Sequence, residues 1–380
     1  MSEAYVIGAG DSAIMPGVAH RPSRTVTKPL LDALALAIEE FALTPSRDRP
    51  MAVVGLVQRS EYLRPALGVW DRLAAACGDG AVVATVGDAP DGLPDGLGHV
   101  RLTDGEDAAR EWSVTVLTPR SGATVVAHDL EAVDGAARSL ERGRLFSARW
   151  SFRHADAHSE LLRLRHQLGA RLGSRHTGGL DEVLSRVVPI PGTATDHRYD
   201  AAANTLAREL SLERRRADAA QTRLDELEPG AERDPRSGLP TRAFLDRWLD
   251  GSAPGTLPLG LVLLRVQGLG SMTRRHGFRA ETAVLRGIAR LLTGQVGSAG
   301  RPVRVGREEF LLLLPGADVR SLAAAAQRLC ETVAGLAAVF PFVPTPSHAV
   351  ITRTRHRPLP LEEMWAALDD AGTGVTLLRG

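Results

Sequence analysis

The chain has 380 residues, of which 44% are hydrophobic and 24% are charged, and its formal net charge at pH 7 is +1. At roughly 100–200 residues per domain this length predicts two or three domains, and the composition excludes a wholly disordered chain. The balanced charge does not indicate a nucleic-acid partner, and no apolar run reaches the roughly 20 residues that cross a bilayer, so no membrane partner is predicted. The first residues lack the basic and apolar regions of a signal peptide, and the two cysteines, Cys77 and Cys330, exclude a disulfide framework. We therefore expect a cytoplasmic protein.

Residues 1–28 contain Gly, Pro and Ser without periodicity and are predicted to be a flexible arm. Residues 29–172 alternate between helical and strand patterns, which predicts an α/β domain. The expected helices are 29–44, 62–76 and 155–172, and the expected strands are 51–58, 81–86, a hairpin of 111–119 and 123–130, and 149–153.

Two groups of side chains in this domain are candidates for a ligand site. Trp112, Trp150 and Phe152 lie on predicted strands, where they line a sensor pocket or, as the simpler interpretation of each, pack in the core. His154 and His158 are four residues apart and share a helix face, but a solvated face is favoured over a pair of metal ligands. No metal site and no cofactor are predicted.

Residues 173–200 are predicted to be a connector, and the segment 201–229 that follows carries a heptad pattern. Seven apolar side chains recur at alternating steps of three and four residues, interrupted by Glu213: Ala203, Leu206, Leu210, Ala217, Ala220, Leu224 and Leu227. This spacing predicts a short parallel coiled coil, and hence a homodimer, with the four leucines as its largest contacts. The alternative is one amphipathic helix that lies on a domain.

Residues 234–380 are predicted to form a second α/β domain, with a central mixed sheet and helices on its faces. An opening helix is followed by a strand at 258–266, helices at 268–276 and 279–294, and two strands within 301–316 joined by a tight turn at Gly306–Glu308. A helix at 319–338, a strand near 347–354, a helix at 360–370 and a final strand complete the pattern.

This second domain resembles the GGDEF family of diguanylate cyclases, which belongs to bacterial cyclic-di-GMP signalling. The family's opening motif stands here as Asp234 followed by the run 237–242, and its long segment, D-x-D-x-F-K-x-x-N-D-x-x-G-H-x-x-G-D-x-x-L, aligns without a gap to 265–285. The signature hairpin R-x-G-G-D-E-F stands as Arg304, Val305, Gly306, Arg307, Glu308, Glu309 and Phe310.

The functional positions of the family pattern hold different residues in this chain. Arg265 stands where the family has a metal-binding aspartate, and a guanidinium repels a cation. Gly270 replaces the lysine, Thr273 replaces the asparagine that reads guanine, and Thr282 replaces the aspartate that assists it. Arg307 replaces the second hairpin glycine, whose missing Cβ lets the backbone approach the triphosphate. The resemblance therefore implies a degenerate domain without catalytic residues.

Residues 29–172 resemble the DICT domain, a sensory module found beside GGDEF domains and in two-component systems. The resemblance rests on Ser60-Glu61 after the first strand, on Glu111-Trp112 at the start of the hairpin, and on the run 144–152. It implies that this domain receives an input.

Two hypotheses from different functional classes follow. In the first, a sensor is coupled through a dimeric coiled coil to a catalytically inactive GGDEF-like domain, which binds another signalling or regulatory protein or a nucleotide. In the second, the chain is a residual diguanylate cyclase or nucleotide hydrolase that uses Glu308 and Glu309. Position 265 discriminates between them, because a cyclase needs a carboxylate there.

Overall fold

A computed structural model of the protein describes residues 23–44, 48–227, 232–297, 299–340, 347–370 and 374–378. These residues form an N-terminal and a C-terminal α/β domain, each with its own sheet, and a long helix runs between them. Among the helices in these ranges, none is long and apolar enough to cross a membrane. Most of the predicted arm lies outside the described residues, but its end forms a strand.

The N-terminal domain contains one seven-stranded sheet with the order β1-β7-β6-β5-β2-β3-β4. Strands β2, β3 and β4 are parallel to one another, and the remaining neighbours are antiparallel. The strands are β1 Arg24–Thr27, β2 Ala52–Arg59, β3 Ala81–Val86, β4 Gly98–Leu102, β5 Glu111–Leu117, β6 Gly122–Val133 and β7 Arg144–Ser151. The helices are α1 Lys28–Leu43, α2 Ser60–Leu63, α3 Leu67–Cys77, α4 Leu140–Gly143, α5 His154–Leu168, α6 Ser174–Arg186 and α7 Ala194–Leu227.

Helices cover both faces of this sheet, which explains why its central strands are continuously apolar rather than alternating. Val53 and Val57 of β2 pack with α1 and α3, whereas Ala52, Val54 and Leu56 pack with α5 and α6. The predicted strand at 81–86 is confirmed with the same bounds. Strands β1 and β4 are not predicted by the sequence pattern.

Helices α6 and α7 both pack on the N-terminal domain. Leu180 and Val183 of α6 are buried against the α5 face of the sheet, and Ala203 and Ala207 of α7 pack against the α1 face. The segment 173–200, predicted as a connector, therefore contains one helix and the start of another.

The C-terminal domain contains a five-stranded sheet with the order β12-β11-β8-β10-β9, in which only the pair β11 and β12 is parallel among the described strands. The predicted order of elements is confirmed, including the break between two helical stretches, because the single helix α9 is interrupted at Gly277 with φ 80°. The strands are β8 Leu259–Val266, β9 Arg301–Arg304, β10 Glu309–Pro315, β11 Ser347–Thr354 and β12 Gly374–Leu377. The helices are α8 Arg242–Leu249, α9 Leu269–Gln295, α10 Val319–Gly335 and α11 Leu361–Asp370.

The two domains contact each other directly. Helices α9 and α10 cover one face of the second sheet, and α8 and α11 cover the other, where Val133 and Leu140 of the N-terminal domain join the same apolar cluster as Trp248. Polar contacts surround this cluster: Arg59 Nη2 donates to the Gly255 carbonyl at 2.6 Å, and Glu131 accepts from Arg355 at 2.5 Å. The N-terminal domain is thus docked on the α8 and α11 face.

Glu39 on α1 provides a test of the packing in the N-terminal domain. Burial raises its pKa to about 7 from an ordinary value of 4.5, against the opposing effect of a hydrogen bond from Trp70. Its contribution to stability is therefore complete below pH 4.5 and is lost as the pH rises through about 7, because the unfolded chain releases the proton first.

Replacing Glu39 with Gln should stabilise the protein at alkaline pH, since the variant has no carboxyl group to ionise in the core. We expect the free energy of unfolding at pH 8 to rise by about 2 kcal/mol, with little change near pH 4.5. Denaturant unfolding at both pH values measures this. The control is Glu40→Gln, an exposed neighbour paired with Arg72 at 2.8 Å, and equal effects of the two variants would contradict the prediction.

Candidate functional site

The turn between β9 and β10 carries the residues of the predicted signature hairpin. Its backbone is held by Gly306 N and Val305 N, which both donate to the Glu309 carbonyl at 3.2 Å. Strand β10 pairs with β8 so that Glu309 lies opposite Arg265, and Phe310 is fully buried next to them. The sheet register therefore brings the hairpin and the end of β8 to one place.

The Arg265 side chain lies between two carboxylates at this place. Its Nε donates to Glu309 Oε1 at 2.9 Å, and its Nη1 donates to Asp369 Oδ1, at the end of α11, at 2.6 Å. Burial alone would lower the pKa of Arg265, but the hydrogen bonds to Asp369 and Glu309 outweigh it and raise the pKa, so the guanidinium stays charged. A fixed positive charge thus occupies the position that the resemblance assigns to a metal ligand.

Glu308 is engaged differently from Glu309. Its Oε1 accepts a hydrogen bond from the Gly270 backbone N–H, in the first turn of α9, at 2.6 Å. A carboxylate is favourable there because the first N–H groups of a helix have no partners within the helix. A Cβ at Gly270 would lie only 3.0 Å from the same oxygen, so the glycine suits this contact. Both signature glutamates therefore have protein partners.

Thr273 and Thr282 lie beside a residue that the sequence analysis does not single out, Glu281. The Glu281 side chain is almost completely buried, accepts a hydrogen bond from Thr273 Oγ1, and forms an ion pair with Arg236 at 2.9 Å. The hydroxyl of Thr282 is buried and has no hydrogen-bond partner among the described residues. One signal was available in the sequence: Glu281 is the only acidic residue of α9, and it stands where the aligned pattern has glycine.

The opening motif is tied to the hairpin by a second ion pair. Arg304 Nη1 donates to Asp234 Oδ2 at 2.7 Å, and the same carboxylate accepts from Ser237 N at 2.8 Å. Burial would raise the pKa of Asp234, but the hydrogen bonds from Ser237 and Arg304 outweigh it, so the pKa is lowered. Asp234 and Arg304, which the resemblance places in separate motifs, therefore act together as a structural link.

Arg307 lies at the exposed tip of the hairpin, and its carbonyl accepts from Arg304 at 3.1 Å. Among the described residues there is no group of three or more His, Cys, Asp or Glu side chains that could hold a metal ion.

The three aromatic residues predicted for a sensor pocket lie at different places. Trp112 packs in the core, where the Lys28 ammonium lies 4.5 Å from its ring centroid, and Phe152 packs edge-on against Phe41 at 6.2 Å. Trp150 lines a cavity whose described wall includes neither Trp112 nor Phe152. Each has a packing role, and they do not share a pocket.

His154 and His158 do not converge on a shared site. The Nε2 of His154 is 3.0 Å from the Thr118 carbonyl, and its Nδ1 accepts from Ile190 N at 3.1 Å, so both ring nitrogens are occupied. Burial and then the nearby His154 lower the pKa of His158. His154 thus ties α5 to the turn after β5 and to the chain that follows α6.

Only some side chains of the predicted dimer seam lie among the described residues. Leu206 and Leu210 are exposed by 64% and 46%, while Ala203 packs on the N-terminal domain. The side chains of Leu224 and Leu227 lie outside the described residues. Helix α7 therefore packs on its own chain through small residues and presents leucines to solvent.

Comparison with known families identifies the C-terminal domain. Residues 231–351 match the family model described as the diguanylate cyclase GGDEF domain. These residues form a GGDEF domain. No curated protein matches the chain. The resemblance of residues 29–172 to the DICT domain stays a prediction.

Solved GGDEF structures are similar to part of the chain. The GGDEF domain of FimX from Pseudomonas aeruginosa shares 20% identity over 39% of this chain and 99% of its own length, with a TM-score of 0.31. The diguanylate cyclase SiaD from Pseudomonas aeruginosa, solved with its activator SiaC, shares 21% identity over 59% of this chain and 87% of its own, with a TM-score of 0.34. The coiled coil and GGDEF domain of DgcB from Caulobacter crescentus, solved with c-di-GMP, shares 16% identity over 47% and 99%, with a TM-score of 0.32.

Replacing Arg265 with Asp should destabilise the GGDEF domain, because it gathers three carboxylates without a cation. We expect a loss of about 1–3 kcal/mol in the free energy of unfolding, and partial recovery in millimolar MnCl₂, since a cation that binds only the folded state stabilises it. Denaturant unfolding with and without Mn²⁺ measures both effects. Arg265→Lys keeps the charge and should lose less; a fully stable R265D variant would show that the ion pairs are unimportant.

Proposed function

We propose that the protein is a non-catalytic signalling protein of the cyclic-di-GMP network, in which the N-terminal domain receives an input and the GGDEF domain acts by binding. The observation that carries this proposal is the Arg265 guanidinium between Glu309 and Asp369. Phosphoryl transfer depends on cations that neutralise the developing charge on the nucleotide, and they are held by carboxylates. Here the carboxylates of Glu309 and Asp369 are already paired with the guanidinium of Arg265.

The alternative, a residual cyclase or nucleotide hydrolase, needs Glu308 and Glu309 free to bind metal. Glu309 would have to leave Arg265, and Glu308 would have to leave the first turn of α9. The buried Glu281–Arg236 pair beside Thr273 also differs from the Asn and Asp pair that the family uses to read guanine. These contacts favour a binding role over turnover.

The GGDEF domain would bind either a second signalling protein or a nucleotide that does not react. In both cases, direct contact between the two domains supports transmission of a signal from the N-terminal domain to the bound partner. Glu131 of the N-terminal domain pairs with Arg355 of the GGDEF domain, and Arg59 bonds to Gly255. A shift of the N-terminal domain would therefore move the α8 and α11 face of the output domain.

Dimerisation through α7 completes the proposal. Leu206 and Leu210 follow the heptad spacing and lie exposed in a single chain. Burying a leucine contributes roughly 1.5–3 kcal/mol, so a seam of such residues from two chains supports association. Parallel pairing would place the two GGDEF domains of a dimer on the same side.

The purified protein should make no cyclic dinucleotide from GTP with Mg²⁺ or Mn²⁺. The R265D variant should also remain inactive, because Thr273, Thr282 and Arg307 are unchanged. Incubation followed by chromatographic separation of the products measures this, with an active diguanylate cyclase as the positive control. Turnover by the wild type would refute the proposed function, and turnover by R265D alone would show that the ion pair, and not base recognition, blocks the reaction.

The double variant Leu206→Glu and Leu210→Glu should be monomeric at concentrations at which the wild type is dimeric, because it places charge in the seam of both chains. Sedimentation velocity measures the change. The control is Leu212→Glu, which changes a leucine of similar exposure, 41%, outside the heptad positions and should stay dimeric. A dimeric double variant would place the interface elsewhere on the chain.

A further inference from the structure

A cavity of about 280 Å³ lies where the N-terminal sheet meets the start of α7. One wall comes from the sheet, with Arg24 of β1 and Trp150 of β7, and Arg153 lies just after β7. The other wall comes from the first turns of α7, with His197 and Asn204. The cavity is therefore shared between the sensory domain and the helix that leads to the GGDEF domain.

The strand register explains why the cavity exists. Strand β1 begins at Arg24, opposite Ala148, while β7 continues to Ser151. Beyond Ala148 this edge of β7 carries no strand among the described residues, and α7 crosses it instead. The helix is fixed there by Asp200, which is 5% exposed and accepts from Phe152 N at 2.9 Å.

Among the described residues, the arginines that line the cavity differ in whether a carboxylate pairs with them. Arg149 pairs with Glu160 at 3.1 Å, and Arg153 pairs with Asp200 at 3.0 Å. Arg153 also donates to His197 Nδ1, which makes that nitrogen an acceptor. Arg24 has no acidic partner among the described residues, so it is the arginine of the lining whose charge no described carboxylate balances.

The rest of the lining suits a planar apolar group. The Trp150 indole forms part of the wall, with the Arg24 guanidinium carbon 5.8 Å from its ring centroid, and the methyl groups of Ala148 and Ala201 lie at the same cavity. A guanidinium binds a carboxylate through two parallel hydrogen bonds, and Asn204 adds an amide donor from the helix side.

We propose that this cavity binds a small monocarboxylate with a planar apolar body, held by Arg24 and Asn204 and packed on Trp150. This rests on the proposed function in one respect, that the N-terminal domain receives the input. A ligand that contacts both walls fixes the first turns of α7 against the sheet. Because α7 leads to the GGDEF domain and carries the heptad, its position transmits occupancy of the cavity to the output.

Benzoate is the probe that tests the ligand class on the full-length protein, with benzamide as the neutral analogue and benzamidine as the cationic one. Isothermal titration calorimetry should show saturable binding of benzoate, at least tenfold weaker binding of benzamide, and none of benzamidine. Arg24→Gln should weaken benzoate binding about tenfold or more, because it removes the charged partner. Arg198→Gln changes an exposed arginine of α7 outside the cavity and should have no effect.

Hydrogen exchange tests the coupling, and benzoate should protect the amides of residues 194–204. No saturable benzoate binding, equal binding of benzamidine, or unchanged affinity in R24Q would overturn the proposed site, and binding without added protection would overturn its coupling to α7. A protein that binds benzoate in this way and also makes a cyclic dinucleotide would refute the proposed function while leaving the site in place.

Discussion

The guanidinium of Arg265 is the charge around which the carboxylates of the C-terminal site are arranged. Two unit charges about 4 Å apart interact by about 4 kcal/mol at the effective dielectric of a protein surface, so this arginine opposes a nearby cation while Glu309 and Asp369 attract it. The same charge attracts Glu309 from the hairpin and Asp369 from α11, and thus joins three elements that lie far apart in sequence. Glu308 is left to bind the first turn of α9. The positive charge that a bound metal would supply is supplied here by the side chain of Arg265.

A buried polar network in the N-terminal domain reaches the contact between the domains, because Asp129 accepts hydrogen bonds from Arg144 and from the backbone N–H of Glu131. Arg144, which has no exposed surface, donates to the Tyr62 hydroxyl at 2.9 Å, and Tyr62 donates to Glu141 at 2.8 Å. The Lys28 ammonium, the only one in a lysine side chain of the protein, lies 4.6 Å from the Tyr62 ring and pairs with Asp32. Buried charges are costly to leave unpaired, so the members of this network hold one another in place. The network therefore links the N-terminal sheet to the face of the GGDEF domain that the N-terminal domain contacts.

The sequence predicted the elements whose signals are local. Strands β3, β8 and β10 were predicted because a buried strand gives a continuous apolar run. The long helices were predicted because one buried face gives apolar residues at regular spacing. Strands β1 and β4 were missed because they are short and partly polar, and the pairing of Arg24 with Ala148 that defines β1 depends on a distant part of the chain. Helix α6 was missed because it contains two adjacent glycines and buries only Leu180 and Val183.

The candidate site was predictable only in part, because some of its contacts join distant parts of the chain. The substitutions at Arg265, Thr273 and Arg307 can be read from an aligned pattern, but the partner of Arg265 cannot. Asp369 is 104 positions further along the chain and reaches the site only through the packing of α11 on the sheet. Glu281 was overlooked because a single acid on a helix is usually solvated, and its burial follows from the break at Gly277 and the position of Arg236.

Direct titration of Mn²⁺ tests whether Arg265 takes the place of a metal at this site. The electron paramagnetic resonance signal of the free aqueous ion reports binding to the wild type, to R265D and to the Glu309→Gln variant. We expect no stoichiometric Mn²⁺ site in the wild type and a gain of binding in R265D, where Glu309 and Asp369 lose the guanidinium that pairs with them. Stoichiometric, sub-millimolar Mn²⁺ binding by the wild type that is lost in E309Q would contradict it.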